Sequence, residues 1–186
     1  MKKIEKEKEM RVFQVVAVLA VLGLLSGVAS AAIVTLPNSS NTVTFTANVS
    51  EQCNVNTLPA AVSFNVVDHT AATNSSSQTV TIDNILLQNT KGLKISLEAN
   101  AASFTPPTGG TITWAASDVS WNAATWTNGT GAAGTLSSAA FNPLVSSTAN
   151  AASVSTTGLI FTLAGKDTVD RAGNHTLVAT WKLESF

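Results

Sequence analysis

Residues 41–49, NTVTFTANV, alternate without a break: Val43, Phe45, Ala47 and Val49 fall on one face, Thr42, Thr44, Thr46 and Asn48 on the other. Side chains of a strand point alternately to its two faces, so this pattern predicts a half-buried β-strand. The same period of two returns at Val62, Phe64 and Val66, then at Val80 and Ile82 running into Ile85, Leu86 and Leu87, and at Leu93, Ile95, Leu97 and Ala99. Later instances are Ile112 with Trp114, Leu159 with Phe161 and Leu163, and Leu177, Ala179, Trp181 and Leu183. Between these runs lie pieces rich in Gly, Pro, Asn and Ser, such as Asn74-Ser75-Ser76-Ser77, Pro106-Pro107-Thr108-Gly109-Gly110, Asn128-Gly129 and Gly173-Asn174, which suit tight turns. Short strands separated by turns predict an all-β fold: one antiparallel β-sandwich, Greek-key or jelly-roll-like, of about eight strands. Residues 117–155 are weakly periodic around Trp121, Trp126, Leu144 and Val145. So long a loop is unusual in a compact domain, so two further short strands are expected there, without assigned bounds.

The N-terminus follows a different pattern. A charged stretch, MKKIEKEKEMR, precedes an apolar run from Val15 to Leu25, and Ala29-Ser30-Ala31 follows. These are the parts of a secretory signal peptide, with cleavage expected after Ala31. An uncleaved membrane anchor is the other reading of the same run, and a start at Met10 would leave only Arg11 as its positive flank. The expected organisation is a signal-peptide helix over residues 1–31, an N-terminal donor strand and linker over 32–41, and the sandwich over 42–186. The expected location is outside the cell, with no membrane association after cleavage.

Loss of residues 1–31 would change the charge balance. Residues 32–186 carry five basic and eight acidic side chains, a net charge of −3, on a surface otherwise supplied by Thr, Ser, Asn and Ala. Such a surface has no field to steer nucleic acid, which is excluded as a partner. Cys53 is the single cysteine, so the chain forms no internal disulfide; burial of the thiol or pairing between molecules are its two readings.

Catalytic and metal chemistry find little material. There are two histidines, His69 and His175, no G-x-S-x-G elbow, and no base beside Cys53 in sequence. Asp68-His69 and the pair Asp167 and Asp170 lack the spacing of a zinc site or an EF-hand, and the latter two suit a turn before the last strand. The acids are scattered singly, unlike the facing pair of a glycosidase. No enzyme activity, cofactor or metal is expected. Trp114, Trp121 and Trp126 are read as core packing, with a sugar-stacking platform as the other reading. Asn38, Asn48, Asn74, Asn128 and Asn174 each begin N-x-S/T and are candidate glycosylation sites, Asn74 and Asn128 foremost because they sit in predicted turns.

Residues 32–36, Ala-Ile-Val-Thr-Leu, are apolar and β-prone and are cut off from the next strand by Pro37-Asn38-Ser39-Ser40. Unpaired apolar strands drive association, so this segment either pairs within its own domain or is given to a neighbour by β-augmentation. The donor residues would be Ile33, Val34, Leu36, Val43, Phe45 and Ala47, and the accepting strand Leu177, Ala179, Trp181 and Leu183. No hydrophobic anchor or wall-sorting signal is expected after Phe186.

Residues 173–183, GNHTLVATWKL, resemble the closing motif of the WxL surface domains, with Trp181-Lys182-Leu183 in the place of Trp-x-Leu and His175 where that family usually has Tyr. Gly92-Leu93-Lys94-Ile95-Ser96-Leu97, followed by Phe104, is similar to that family's first motif, with Leu93 at the position of its first Trp. The early strand Val43–Val49, with Cys53 soon after and a Gly-led final strand, also looks like subunits of chaperone-usher fimbriae. It looks more like the secreted β-sandwich subunits of archaeal bundling pili and threads and the TasA-type fibre proteins. The second resemblance implies a structural subunit of an extracellular filament, a homo-oligomer built by donor-strand complementation. The first implies a surface module that holds a cell-wall polymer.

Overall fold

The computed structural model describes residues 42–186. The chain divides into two units, Met1–Ala47 and Asn48–Phe186. Of the first, residues 42–47 are described, and they form no secondary structure and are exposed. The expected signal-peptide helix, the cleavage point and residues Ile33, Val34, Leu36 and Asn38 lie outside the described residues.

The second unit is all-β. Its strands are β1 (Gln52–Thr57), β2 (Thr73–Asn74), β3 (Gln78–Leu86), β4 (Leu93–Ala99), β5 (Val119–Trp121), β6 (Gly129–Gly131), β7 (Gly134–Thr135), β8 (Asn142–Ser147), β9 (Val154–Leu159), β10 (Phe161–Leu163) and β11 (Ala179–Ser185). A single 3₁₀ turn, Ala116–Asp118, precedes β5. The strands form three antiparallel sheets, in the orders β1-β3-β9, β2-β10-β5-β7 and β11-β4-β8-β6. Strands β9 and β10 are parted only by Ile160, so one stretch of chain serves the first two sheets in turn.

One core joins the sheets. Val80, Ile82, Val154 and Leu159 come from the first sheet, Val119, Trp121, Phe161 and Leu163 from the second, and Leu93, Ile95, Leu97, Leu144 and Val145 from the third. Alternation explains which side chains these are: along β4 the inward residues Leu93, Ile95, Leu97 and Ala99 are all buried. Ser96 is buried as well, beside a register shift between Ile95 and Ser96 where β4 meets β8. Asn84 takes a φ of 47° within β3 near a comparable irregularity against β1, a conformation that Asn tolerates better than most residues.

Several expected strands form where the pattern places them, and others shift. The run from Leu93 to Ala99 is β4, and Leu159, Phe161 and Leu163 fall on β9 and β10. The last strand begins at Ala179 rather than Leu177 and runs to Ser185. Within residues 117–155 the structure places β5 to β8 and the start of β9, more strands than the two expected, each short enough to leave little periodicity. Strand β1 had no expectation; its sequence, QCNVNT, is almost entirely exposed apart from Cys53 and so carries no alternating signal.

The half-buried strand expected at residues 41–49 is not formed in the described part, residues 42–49. Val43, Phe45 and Val49 are 73%, 89% and 66% exposed. Alternation marks which face of a segment is apolar, but a strand also needs a ladder partner, and this segment has none in its own chain among the described residues. Residues 62–66 depart in a related way. Val62, Phe64 and Val66 are half-buried against the core and Ser63 and Asn65 exposed, as the pattern predicts, yet no sheet includes them.

Candidate functional site

Strand β11 is the terminal strand of its sheet, paired only with β4. The pairing runs from Ala179 opposite Ala99 to Ser185 opposite Leu93 without a slip. The backbone N–H of Asn100 donates to the Val178 carbonyl at 2.9 Å, and that of Phe186 to the Gly92 carbonyl at 3.1 Å. Above β11, Thr176 exchanges two backbone hydrogen bonds with Thr105, at 2.7 and 3.0 Å. In an antiparallel ladder alternate residues turn both backbone groups toward the partner. The even-numbered residues from Thr176 to Phe186 therefore face inward across the sheet, and Leu177, Ala179, Trp181 and Leu183 turn their N–H and C=O groups to the outer edge. No strand among the described residues pairs with that edge. The side chains of the same four residues pack partly buried against the core.

Beside this edge the fold is open. A groove of about 1110 Å³ runs between residues 59–67 on one side and 169–179 on the other. Its floor is core: Leu97, Trp114, Val119, Leu136, Phe161 and Leu163. At the end of β11 the Glu51 carboxylate accepts from the Ser185 hydroxyl at 2.6 Å and from the Gln88 N–H at 3.0 Å. Those contacts, the Ser185 hydroxyl first, hold the Glu51 carboxyl below the usual carboxylate range. Higher up, the Trp181 indole N–H donates to the Pro59 carbonyl at 3.3 Å, so this ring arches across the opening. Above Trp181 the side chain at the edge shrinks to Ala179, which sits directly opposite Ala99 on β4.

The upper wall is held by polar contacts. Asp170 accepts from the Thr111 hydroxyl at 2.6 Å and from the N–H groups of Thr111 and Ile112, tying residues 169–171 to the loop before Trp114. The Thr111 hydroxyl and the Ile112 N–H favour the charged form and lower the Asp170 pKa to about 2. The expected turn role of Asp170 is thus a clamp between two loops. His175 also lines the groove. Its Nε2 lies 3.0 Å from the Arg171 carbonyl, which can only accept, so Nε2 carries a proton; Nδ1 meets the Thr113 hydroxyl at 2.8 Å. The Trp114 ring packs edge-on at 5.1 Å. Both ring nitrogens are engaged in holding the wall, and His69 lies exposed on the opposite side.

Trp114, Trp121 and Trp126 are 4%, 3% and 6% exposed. The rings are core, as the sequence reading has them, and not a sugar-stacking platform: the indole N–H of Trp114 donates to the Ala164 carbonyl at 2.8 Å, and that of Trp121 to the Ala132 carbonyl at 3.0 Å. Cys53 is half-buried on β1 against the core, and burial pushes its thiol pKa up. Asn48, Asn74, Asn128 and Asn174 are all exposed. Asn128 stands in a turn with φ of 56°, its amide donating to the Ser153 carbonyl at 3.1 Å, whereas Asn74 lies in β2 with its side-chain oxygen accepting from the Thr162 hydroxyl at 2.7 Å.

Among the expected site residues, the structure brings Leu177, Ala179 and Trp181 to the groove and puts Leu183 just below it on the same edge. Val43, Phe45 and Ala47 are exposed and outside any sheet. Sequence reasoning missed the opposite wall, residues 59–67, whose signal was Val62, Phe64 and Val66 read as an ordinary strand. No helix among the described residues is long and apolar enough to cross a membrane. No protein-family model matches the chain, and neither a curated protein nor a solved structure shows significant similarity to it.

Proposed function

We propose that this chain is a structural subunit of an extracellular filament or surface assembly, exported by its N-terminal signal and joined by strand donation. In this reading the apolar face at residues 42–49, together with the apolar segment 32–36 before it, belongs in a neighbour's groove beside β11. The β-sandwich is then completed by the next copy. One observation carries the reading: a groove floored by core residues adjoins a sheet edge that no strand among the described residues pairs with, while an alternating apolar segment of the same chain stands exposed without a ladder partner among those residues. The two walls of the groove are chain segments lying beside a strand edge that no described strand pairs with, which suits a peptide strand better than a compact ligand. The exposed Asn128 turn and the charge-poor Thr/Ser/Asn surface suit a glycoprotein outside the cell.

Negative-stain imaging of the exported protein tests the proposal, with and without residues 32–49. Filaments from the full chain, and a folded monomer showing β-sheet circular dichroism from the shortened one, are the expected pair. Filaments that persist after the deletion overturn it.

A further inference from the structure

Five N-x-S/T sequons stand in the chain, and the asparagines of the four among the described residues are all exposed. Exposure therefore does not choose among them, but the state of each amide and of the backbone after it does. For an exported chain that choice decides where sugar sits, and the inference rests on the reading that the chain is exported. Glycosyl transfer needs the side-chain nitrogen as nucleophile and the two following residues laid against the enzyme. A sequon whose groups are already paired must first open locally and give up those hydrogen bonds.

Three of the four sequons are held in this way. Asn74 lies in β2 with its Oδ1 accepting from the Thr162 hydroxyl at 2.7 Å; the next residue, Ser75, is buried and its N–H donates to the Phe161 carbonyl at 2.8 Å. Asn128 donates its Nδ2, the atom that must attack, to the Ser153 carbonyl at 3.1 Å, and Gly129 and Thr130 are paired in β6 with Ser147 and Ser146 of β8. Asn174 keeps an unengaged amide among the described residues, but Thr176 exchanges two backbone hydrogen bonds with Thr105, and the His175 ring is engaged through both nitrogens. Asn48-Val49-Ser50 is the exception. All three residues are exposed, none lies in secondary structure, and none makes a hydrogen bond among the described residues.

We propose that Asn48 is the residue glycosylated on the folded chain, with an oligosaccharide carried on a polyprenyl phosphate or diphosphate as the donor. The Asn48 Nδ2 forms a bond to the anomeric carbon and gives up one proton; the bond from that carbon to the phosphate oxygen breaks, and the lipid phosphate leaves with the electron pair. In the alternation of residues 42–49, Asn48 falls with the threonines, opposite Val43, Phe45, Ala47 and Val49. A sugar there leaves the apolar face clear and sets a hydrated group beside exposed apolar side chains, which limits their non-specific association.

The test uses the full-length chain with Asn38→Gln, because Asn38 lies outside the described residues. Folded protein made without sugar is incubated with a single-subunit oligosaccharyltransferase that accepts N-x-S/T and a polyprenyl-diphosphate-linked oligosaccharide, and occupancy of each sequon is read by glycopeptide mass. Short synthetic peptides spanning the four described sequons are run beside it. All four peptides should react, whereas the folded chain should carry sugar at Asn48 alone. That sugar should be lost in Asn48→Gln and in Ser50→Ala, both at exposed positions. Asn48 left bare on the folded chain overturns the proposal, as does occupancy of Asn74, Asn128 or Asn174 equal to that of Asn48. This reaction needs no export, so its outcome is separate from that of the exported-subunit reading, which fails if cells producing the chain keep it inside.

Discussion

Phe45→Ala separates assembly from folding. Phe45 is 89% exposed in the single chain, so its ring contributes almost nothing to the monomer, and substitution at such a surface site shifts stability by less than about 0.5 kcal/mol. In the groove, the same ring would leave water almost completely. Burying a Phe side chain is worth about 1.5–3 kcal/mol, and the cavity left beneath an alanine pushes the cost toward the upper end. At 1.4 kcal/mol per factor of ten, each subunit contact should weaken roughly 10- to 150-fold. The assay is the concentration at which filaments first scatter light or sediment, measured for wild type and variant, alongside thermal unfolding of dilute monomer. The threshold should rise by one to two orders of magnitude (~10- to 100-fold), with the dilute melting temperature within about 2 °C of wild type. An unchanged threshold refutes the role of Phe45 in assembly. A large drop in the monomer melting temperature refutes the exposed placement of the ring, and with it the reasoning.

Three further outcomes follow from the geometry. Ala179 lines the groove, so Ala179→Phe fills part of it from within the accepting chain, and the monomer should keep its circular dichroism spectrum while sedimentation shows assembly lost. Asp170 has its pKa lowered from 3.8 to about 2 by Thr111 and Ile112, so its contribution to stability is complete above the unfolded value and lost as pH falls through the folded one. Denaturation curves between about pH 5 and pH 2 should therefore show a pH dependence that is reduced in Asp170→Asn. Ile95 is completely buried at the centre of its sheet, and Ile95→Ala should cost about 2–5 kcal/mol in urea unfolding, with the slope of the transition retained.

How much of this was legible in the sequence depended on whether a segment's alternation coincides with a ladder among the described residues. Strand β4 could be read directly because its alternation coincides with burial between two neighbours, β11 and β8. Residues 42–49 have an equally clean alternation and form no strand, because hydrophobic period reports a face and says nothing about who supplies the ladder. Residues 62–66 show the intermediate case: side chains packed as the pattern predicts, backbone outside any sheet. Strand β1 was illegible for the opposite reason, since six mostly exposed residues held by β3 leave no apolar signal. The Asp170 clamp was half legible. An acid before the last strand suggested a turn, but its partners at Thr111 and Ile112 are about sixty positions away, and no local pattern encodes that pairing.

The unbroken register between β11 and β4 has a mechanical consequence. The β1–β3, β3–β9 and β4–β8 ladders are each interrupted by a shift, whereas β11 meets β4 over seven consecutive partners. Ladder bonds lie perpendicular to the strands, so a pull along β11 strains all of them together in shear and none can be peeled away first. Load applied at this edge would pass into β4, the strand with the most completely buried side chains, so the edge that has no partner among the described residues is also the one best held against a pull along its length.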